Sequence, residues 1–306
     1  MALGYEGIGL LNGTPFLCTG MGVPQQRNRL DSASAFRGST DPTLPVTEAI
    51  MPPHTYDWPT NDGSMSWDTS LDFFRVIKDW IVNRKTPAEV AFYPCRGSYQ
   101  RFAECYWTSI TLEAAEGGFL SGSANFVAIN RDSDEQGNDY IENRGGILLD
   151  GVLSDYTACL LQEQLRALNP AGENLDPIPF WKGKIESASL IEAGAEPLSW
   201  TLTFNQEVAK NFACEGISLE AVEPTIVGIG PMTVEIAIEL YVSVSPYELP
   251  YDVSALSVVI GDDEDGFDFE DLELQSHDQP LKTGSDTITI SATYSPYTMA
   301  LTSATL

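Results

Sequence analysis

Two stretches decide the fold of this chain: Glu104–Asn130, ECYWTSITLEAAEGGFLSGSANFVAIN, and Asp265–Tyr294, DGFDFEDLELQSHDQPLKTGSDTITISATY. They follow one plan. An alternating strand carrying Ile110-Thr111-Leu112 or Leu272-Glu273-Leu274 runs into a polar turn, and a second alternating strand opens at Gly122 or Gly284. Apolar and polar residues alternate at period two on both sides of the turn, the pattern of an antiparallel hairpin with one face buried. The echo predicts a duplicated β-module. It lies in the pattern, with little residue identity.

Outward from these hairpins the same period recurs. Met232–Val244 places Val234, Ile236, Ile238, Leu240, Val242 and Val244 on one face and Thr233, Glu235, Ala237, Glu239 and Tyr241 on the other. Lys184–Leu190 and Leu198–Val208 read as strands, as do Val90–Tyr93 and Ser64–Trp67. One segment changes period: Leu71, Phe74, Ile77, Trp80 and Ile81 recur at helical spacing, behind Ser70 as N-cap and ahead of Pro87. A second helix is predicted over Ser154–Leu168, capped by Ser154 and stopped at Asn169-Pro170. The polar run Arg131–Arg144 is the best linker, which divides the chain into residues 1–140 and 141–306. The class is mainly β.

Charge excludes one kind of partner. The formal net charge is −28, and Tyr251 onward holds eleven acidic residues against Lys282 alone. Binding to nucleic-acid phosphates draws its affinity from lysine and arginine, so this surface opposes it. A solvated acidic face explains the same charge, and so does a surface built to repel a polyanion. No apolar run reaches membrane-spanning length and Met1–Glu6 lacks a secretion signal, so a soluble chain made in the cytosol is expected. Five scattered cysteines without a CxxC predict buried thiols, although Cys95 and Cys105 are placed to face each other across a hairpin.

The motifs of catalysis and cofactor binding are missing. His54 and His277 stand in polar, turn-like settings without a Cys or His at metal-ligand spacing. Gly228-Ile229-Gly230 leads into a strand, where a phosphate loop would open a helix, and is structural. Asp262–Gly266 fails the calcium-loop template and reads as a solvated turn. No catalytic, cofactor-binding or metal residue is assigned, and no cofactor is expected.

The order Trp107–Leu112, a turn with Gly117-Gly118, then Gly122–Ile129 resembles the closing hairpin of tail tube proteins, the major tail proteins of tailed bacteriophages. Trp181–Leu190 followed by Ser199–Phe204 and Asn211–Gly216 is similar to the opening strands of such a module. The resemblance implies two tandem modules of β-sandwich or partial-barrel type, each with a flanking helix and the first with a long arm. It further implies a structural virion protein, not an enzyme, made in the host cytoplasm and located in the virion tail. Copies would form rings stacked into a hollow, negatively charged tube through which the genome passes without specific binding. A duplicated chain would need three copies per pseudo-sixfold ring; a single-module chain would need six. Tape-measure, tail terminator, baseplate and sheath proteins are the implied partners, with no membrane.

Two sets of residues carry this expectation. Glu235 and Glu239 are candidates to face the lumen, the other reading being bulk solvent on an ordinary sandwich. The segment Ser39–Asn61 has five prolines and no internal period, and is expected to be an extended arm. Pro53, His54, Tyr56 and Trp58 are its candidate contacts on a neighbouring copy; the alternative is a loop folded back over its own module. Competing functions are a neck or baseplate ring protein of the same fold, and a carbohydrate-binding β-sandwich using Trp58, Trp107 or Trp181.

Overall fold

The computed structural model describes residues 8–22, 60–93, 99–129, 141–144, 147–149, 152–154, 176–192, 195–211, 226–242, 249–261, 265–278 and 288–302. The architecture is mainly β, with a closed six-stranded barrel and further strands added to it. The barrel is built from β1 (Ile8–Leu11), β2 (Thr14–Gly22), β3 (Thr60–Asp68), β4 (Ala88–Tyr93), β5 (Tyr99–Ala114) and β6 (Leu120–Ile129). Their order is β5-β4-β1-β2-β3-β6, and β6 pairs back onto β5. Between β1 and β2, Asn12 (φ 49°) and Gly13 (φ 79°) adopt the two left-handed conformations of a tight hairpin turn, which Asn-Gly tolerates best. Inside the barrel, Gly122 lies against Trp67. A Cβ there would stand 2.5 Å from the indole, so only glycine admits the ring.

Helix α1 (Leu71–Val82) follows β3 as its period predicts. Ser70 Oγ accepts the Phe73 amide at the N-cap. The helix buries Phe73, Phe74, Ile77, Trp80 and Ile81, each worth about 2 kcal/mol on removal from water. Phe73 stacks on Phe16 of the barrel at 4.4 Å. Phe74, its neighbour in sequence, reaches elsewhere.

The second set of strands comprises β10 (Gly183–Glu186), β11 (Ala195–Asn211), β12 (Ile226–Val242), β13 (Asp252–Ile260), β14 (Asp265–Asp278) and β15 (Ile288–Thr302). They run in the order β10-β13-β14-β15-β12-β11. Between β10 and β11 lies a short helix, α2 (Ala188–Glu192), and the two strands meet through Trp200 Nε1, which donates to Gly183 O at 3.0 Å. Three further short strands stand among the described residues: β7 (Ile141–Arg144) on the start of β5, and β8 (Ile147–Leu149) paired with β9 (Val152–Ser154).

The two sets are one body. β11 pairs antiparallel with β5 from Trp200↔Ala114 to Asn205↔Ser109, and one buried apolar cluster runs through both. Phe74 meets Phe267 of β14 edge-on at 5.8 Å. Beside it, Asp265 accepts from Arg75 Nε at 2.7 Å and from Lys78 Nζ at 3.0 Å. The residues leading into β10 add a clip: Ile178 N donates to Thr69 O, Leu120 N to Ile178 O, and Phe180 N to Gly118 O.

Several expectations change. Ala188–Leu190 is helical where a strand is expected; one turn of α2 buries Leu190, and Ser187 Oγ bonds to Ala255 O. Asp265 is buried and ion-paired instead of standing in a solvated turn, because the chain enters β14 beneath α1. His277 is in strand β14 and exposed. Ile141–Arg144, read as linker, is a strand on β5, and Thr60-Asn61, the end of the expected arm, begins β3. Cys105 carries a free, buried thiol, so it forms no bridge to Cys95. The helix expected over Ser154–Leu168 lies outside the described residues but for Ser154, which ends β9, as do the arm up to Pro59 and Gly284.

Candidate functional site

No cluster of reactive groups stands out, so the site with the clearest construction is a surface. Among the described residues no three His, Cys, Asp or Glu are grouped to hold a metal ion, and no helix is long and apolar enough to cross a membrane. The two buried thiols are poor nucleophiles: burial pushes Cys18 up to about 11 against the lowering effect of its bond to Gly20 O, and burial likewise raises Cys105.

The surface comes from strand order. Eight strands follow one another through hydrogen bonds as β14-β15-β12-β11-β5-β6-β3-β2. Their inward residues form rows through the core. One such row is Tyr294–Ile236–Leu202–Leu112–Gly122–Trp67–Cys18. The intervening residues form rows on the opposite face, and these are polar. One reads Ser276–Thr293–Ala237–Thr201–Glu113–Ser121–Asp68, and the next runs Glu235–Thr203–Thr111–Ser123–Ser66–Gly20. Alternation at period two produces both faces from one sequence pattern.

Short hydroxyl side chains and carboxylates dominate this face. Ser199 Oγ donates to Glu239 Oε2 at 3.0 Å and Ser121 Oγ to Glu113 Oε1 at 2.8 Å, while Asn125 Nδ2 donates to Ser109 Oγ at 2.8 Å. At its edge Tyr297 OH donates to Glu273 Oε2 at 2.9 Å, a bond that raises the phenol pKa. Partial burial raises Asp68. Strands β2, β3, β6, β12, β14 and β15 contain no lysine or arginine. β5 and β11 hold one each, Arg101 and Lys210, beyond the ladder that joins them. The face is therefore acidic, a poor binder of phosphates and a good repeller of them.

Glu235 and Glu239 both stand exposed on this face, with Ile236 and Ile238 buried behind them, as the alternation in the sequence indicates. Pro53, His54, Tyr56 and Trp58 lie outside the described residues. Of the tryptophans proposed for sugar stacking, Trp107 is fully buried, its Nε1 donating to Trp80 O. Trp181 is 64% exposed on the lip of a cleft of about 400 Å³ lined by Phe180, Lys184, Pro197 and Leu198.

The chain matches no protein-family model and no curated protein.

Alternation along β12 indicates the outward position of Glu235 and Glu239 but not the sheet that carries them. The missed members are Ser109, Thr111 and Glu113 on β5 and Ser121, Ser123 and Asn125 on β6. Their own alternation was the available signal; only the β5–β11 ladder puts them beside Thr201 and Thr203.

Proposed function

We propose that this chain is a structural subunit of a hollow, β-walled tube of the bacteriophage tail-tube type, whose acidic inner face lets DNA pass without adhering. One observation carries the reading. Taken in chain order, the first strand of each six-strand set pairs with the fourth, the fourth with the fifth, the fifth with the sixth, the sixth with the third, and the third with the second. β1–β6 and β10–β15 obey this rule alike, which supports two tandem copies of one module. As a result the eight-strand sheet repeats the order fifth, sixth, third, second twice over. A wall built by repetition, polar on one side and packed on the other, suits a tube lining.

In this reading three copies make a pseudo-sixfold ring, Glu235, Glu239 and Glu113 line the bore, and the arm before β3 links rings. The test is electron microscopy of the purified full-length protein. Long hollow filaments are the expected product, single unstacked rings would move the protein to a neck or baseplate position, and monomers under all conditions would refute it. A carbohydrate-binding role is favoured only by exposed Trp181 at its cleft, and a glycan array on wild type and Trp181→Ala separates it from the tube.

A further inference from the structure

The internal joint between the two sets uses six residues of each strand. Along β5, Gln100–Cys105 is covered by β4, and past the end of β4 the same edge, Ser109–Ala114, receives β11. β14 occupies the equivalent place in the second set. Its Asp265–Glu273 is covered by β13, and Leu274 N makes one last bond to Tyr251 O. Beyond it, Gln275 is a bulge and Ser276–Asp278 pairs with β15 on one side and, among the described residues, with no strand on the other. β2 is the counterpart of β11. Thr14–Leu17 is covered by β1, whereas among the described residues Cys18–Gly22 pairs with β3 alone.

Each module thus presents two half-edges, and inside the chain one of each kind is consumed by the β5–β11 ladder. The two left over are of opposite kind. We propose that they complete each other between copies: Gln275–Asp278 at the end of β14 in one copy adds antiparallel to Cys18–Gly22 of β2 in the next, on the pattern of the internal joint. This rests on the two-module reading above and supplies its missing contact. The vacant stretches suit the role. Unpaired backbone donors and acceptors at a sheet edge recruit another strand unless they are guarded, and lysine and proline are the usual guards. Neither residue type occurs in Gln275–Asp278 or in Cys18–Gly22, and the one guard each stretch carries is a bulge, at Gln275 and at Thr19. Gln275, Ser276, His277 and Asp278 are all exposed, as is Thr19 opposite. The only carboxylate on the two stretches is Asp278, so bringing them together opposes no like charges. Because the two patches differ, the contact is head-to-tail and passes from copy to copy, forming a ring where the rotation closes.

The test mixes two full-length preparations, one carrying Thr19→Cys and the other Ser276→Cys or His277→Cys, under mild oxidation. Disulfide-linked pairs of one chain of each kind are expected in the mixture, and not when Thr19→Cys is mixed with Asp79→Cys on the outside of α1. In parallel, Gln275→Pro with His277→Pro should keep the β-type circular dichroism spectrum and lose assembly on size exclusion. Pairs no more abundant than in the Asp79→Cys control would overturn the joint, as would folded double-proline chains that assemble normally. Wild-type tubes without the β2–β14 disulfide would sink this contact and leave the tube standing. Disulfide-linked rings that never stack would establish the contact and remove the tube.

Discussion

The two six-strand sets share a pairing scheme and differ in how far it is completed. In β1–β6 the second strand returns to the first through the Asn12-Gly13 turn, closing the barrel. In β10–β15 the same two positions are separated by α2, and a hydrogen bond from Trp200 Nε1 to Gly183 O links β10 to β11, with no ladder between the two strands among the described residues. What the second set loses in closure it recovers by leaning on the first. β11 hydrogen-bonds to β5, and Phe267 packs against both Phe74 and Phe204. The comparison teaches that an incomplete barrel is stable when a neighbour supplies its missing edge, so the boundary between the two sets is itself a folding contact.

The strongest way to break that dependence is Phe204→Ala. The ring is fully buried at the joint, and its removal is expected to cost about 3–5 kcal/mol. Because the core is shared, thermal unfolding should remain a single transition at lower temperature; two separate transitions would mean that the sets fold independently. Asp265→Asn comes next. It leaves Lys78 buried without its carboxylate, at a cost of about 3 kcal/mol, measurable by urea denaturation.

The Asp265 substitution also has a pH signature. Burial pushes the Asp265 carboxyl up, but the bonds and charges of Arg75 and Lys78 outweigh it and hold the pKa below its ordinary 3.8. A depressed carboxylate stabilises the fold above the unfolded pKa, and the contribution disappears as pH falls through the folded one. Wild type should therefore lose stability below about pH 4 more steeply than Asp265→Asn. Equal slopes would show that the triad contributes nothing.

Smaller effects sharpen the comparison. Ser70→Ala removes the N-cap of the helix on which both sets rest and should cost about 1 kcal/mol in chemical denaturation. The smallest change in stability, within about 0.5 kcal/mol, is expected for Glu235→Lys with Glu239→Lys, since both side chains are exposed. In assembled particles the same pair should slow DNA ejection in a salt-dependent manner. Normal ejection at low salt would put both glutamates outside the bore.

Legibility in the sequence followed the range of the interaction. Helix α1 and the alternating strands around Ile110, Leu202 and Ile236 are written in residues a few positions apart, and these were readable. So were the outward positions of Glu235 and Glu239. Asp265 was misread because its partners, Arg75 and Lys78, lie 190 and 187 positions away, and nothing local separates an acidic turn from a buried carboxylate. Barrel closure and the β5–β11 ladder depend equally on distant partners. Trp107 looked available for a ligand because alternation identifies its face without saying that α1 covers it. Five residues of α2 are too few to establish a helical period, so the apolar Ala188 and Leu190 passed for a strand.

The clip made by Ile178 has a consequence for proteolysis. The segment leading into β10 is bonded to Thr69 and Leu120 of the barrel before its own set begins. Cleavage anywhere between Ser154 and Asp176 therefore leaves both fragments still sharing a β-ladder, a helix face and this clip. A nicked chain should run as two bands in denaturing gels and migrate as one particle otherwise. Fragments produced from separate messages should find each other and refold together.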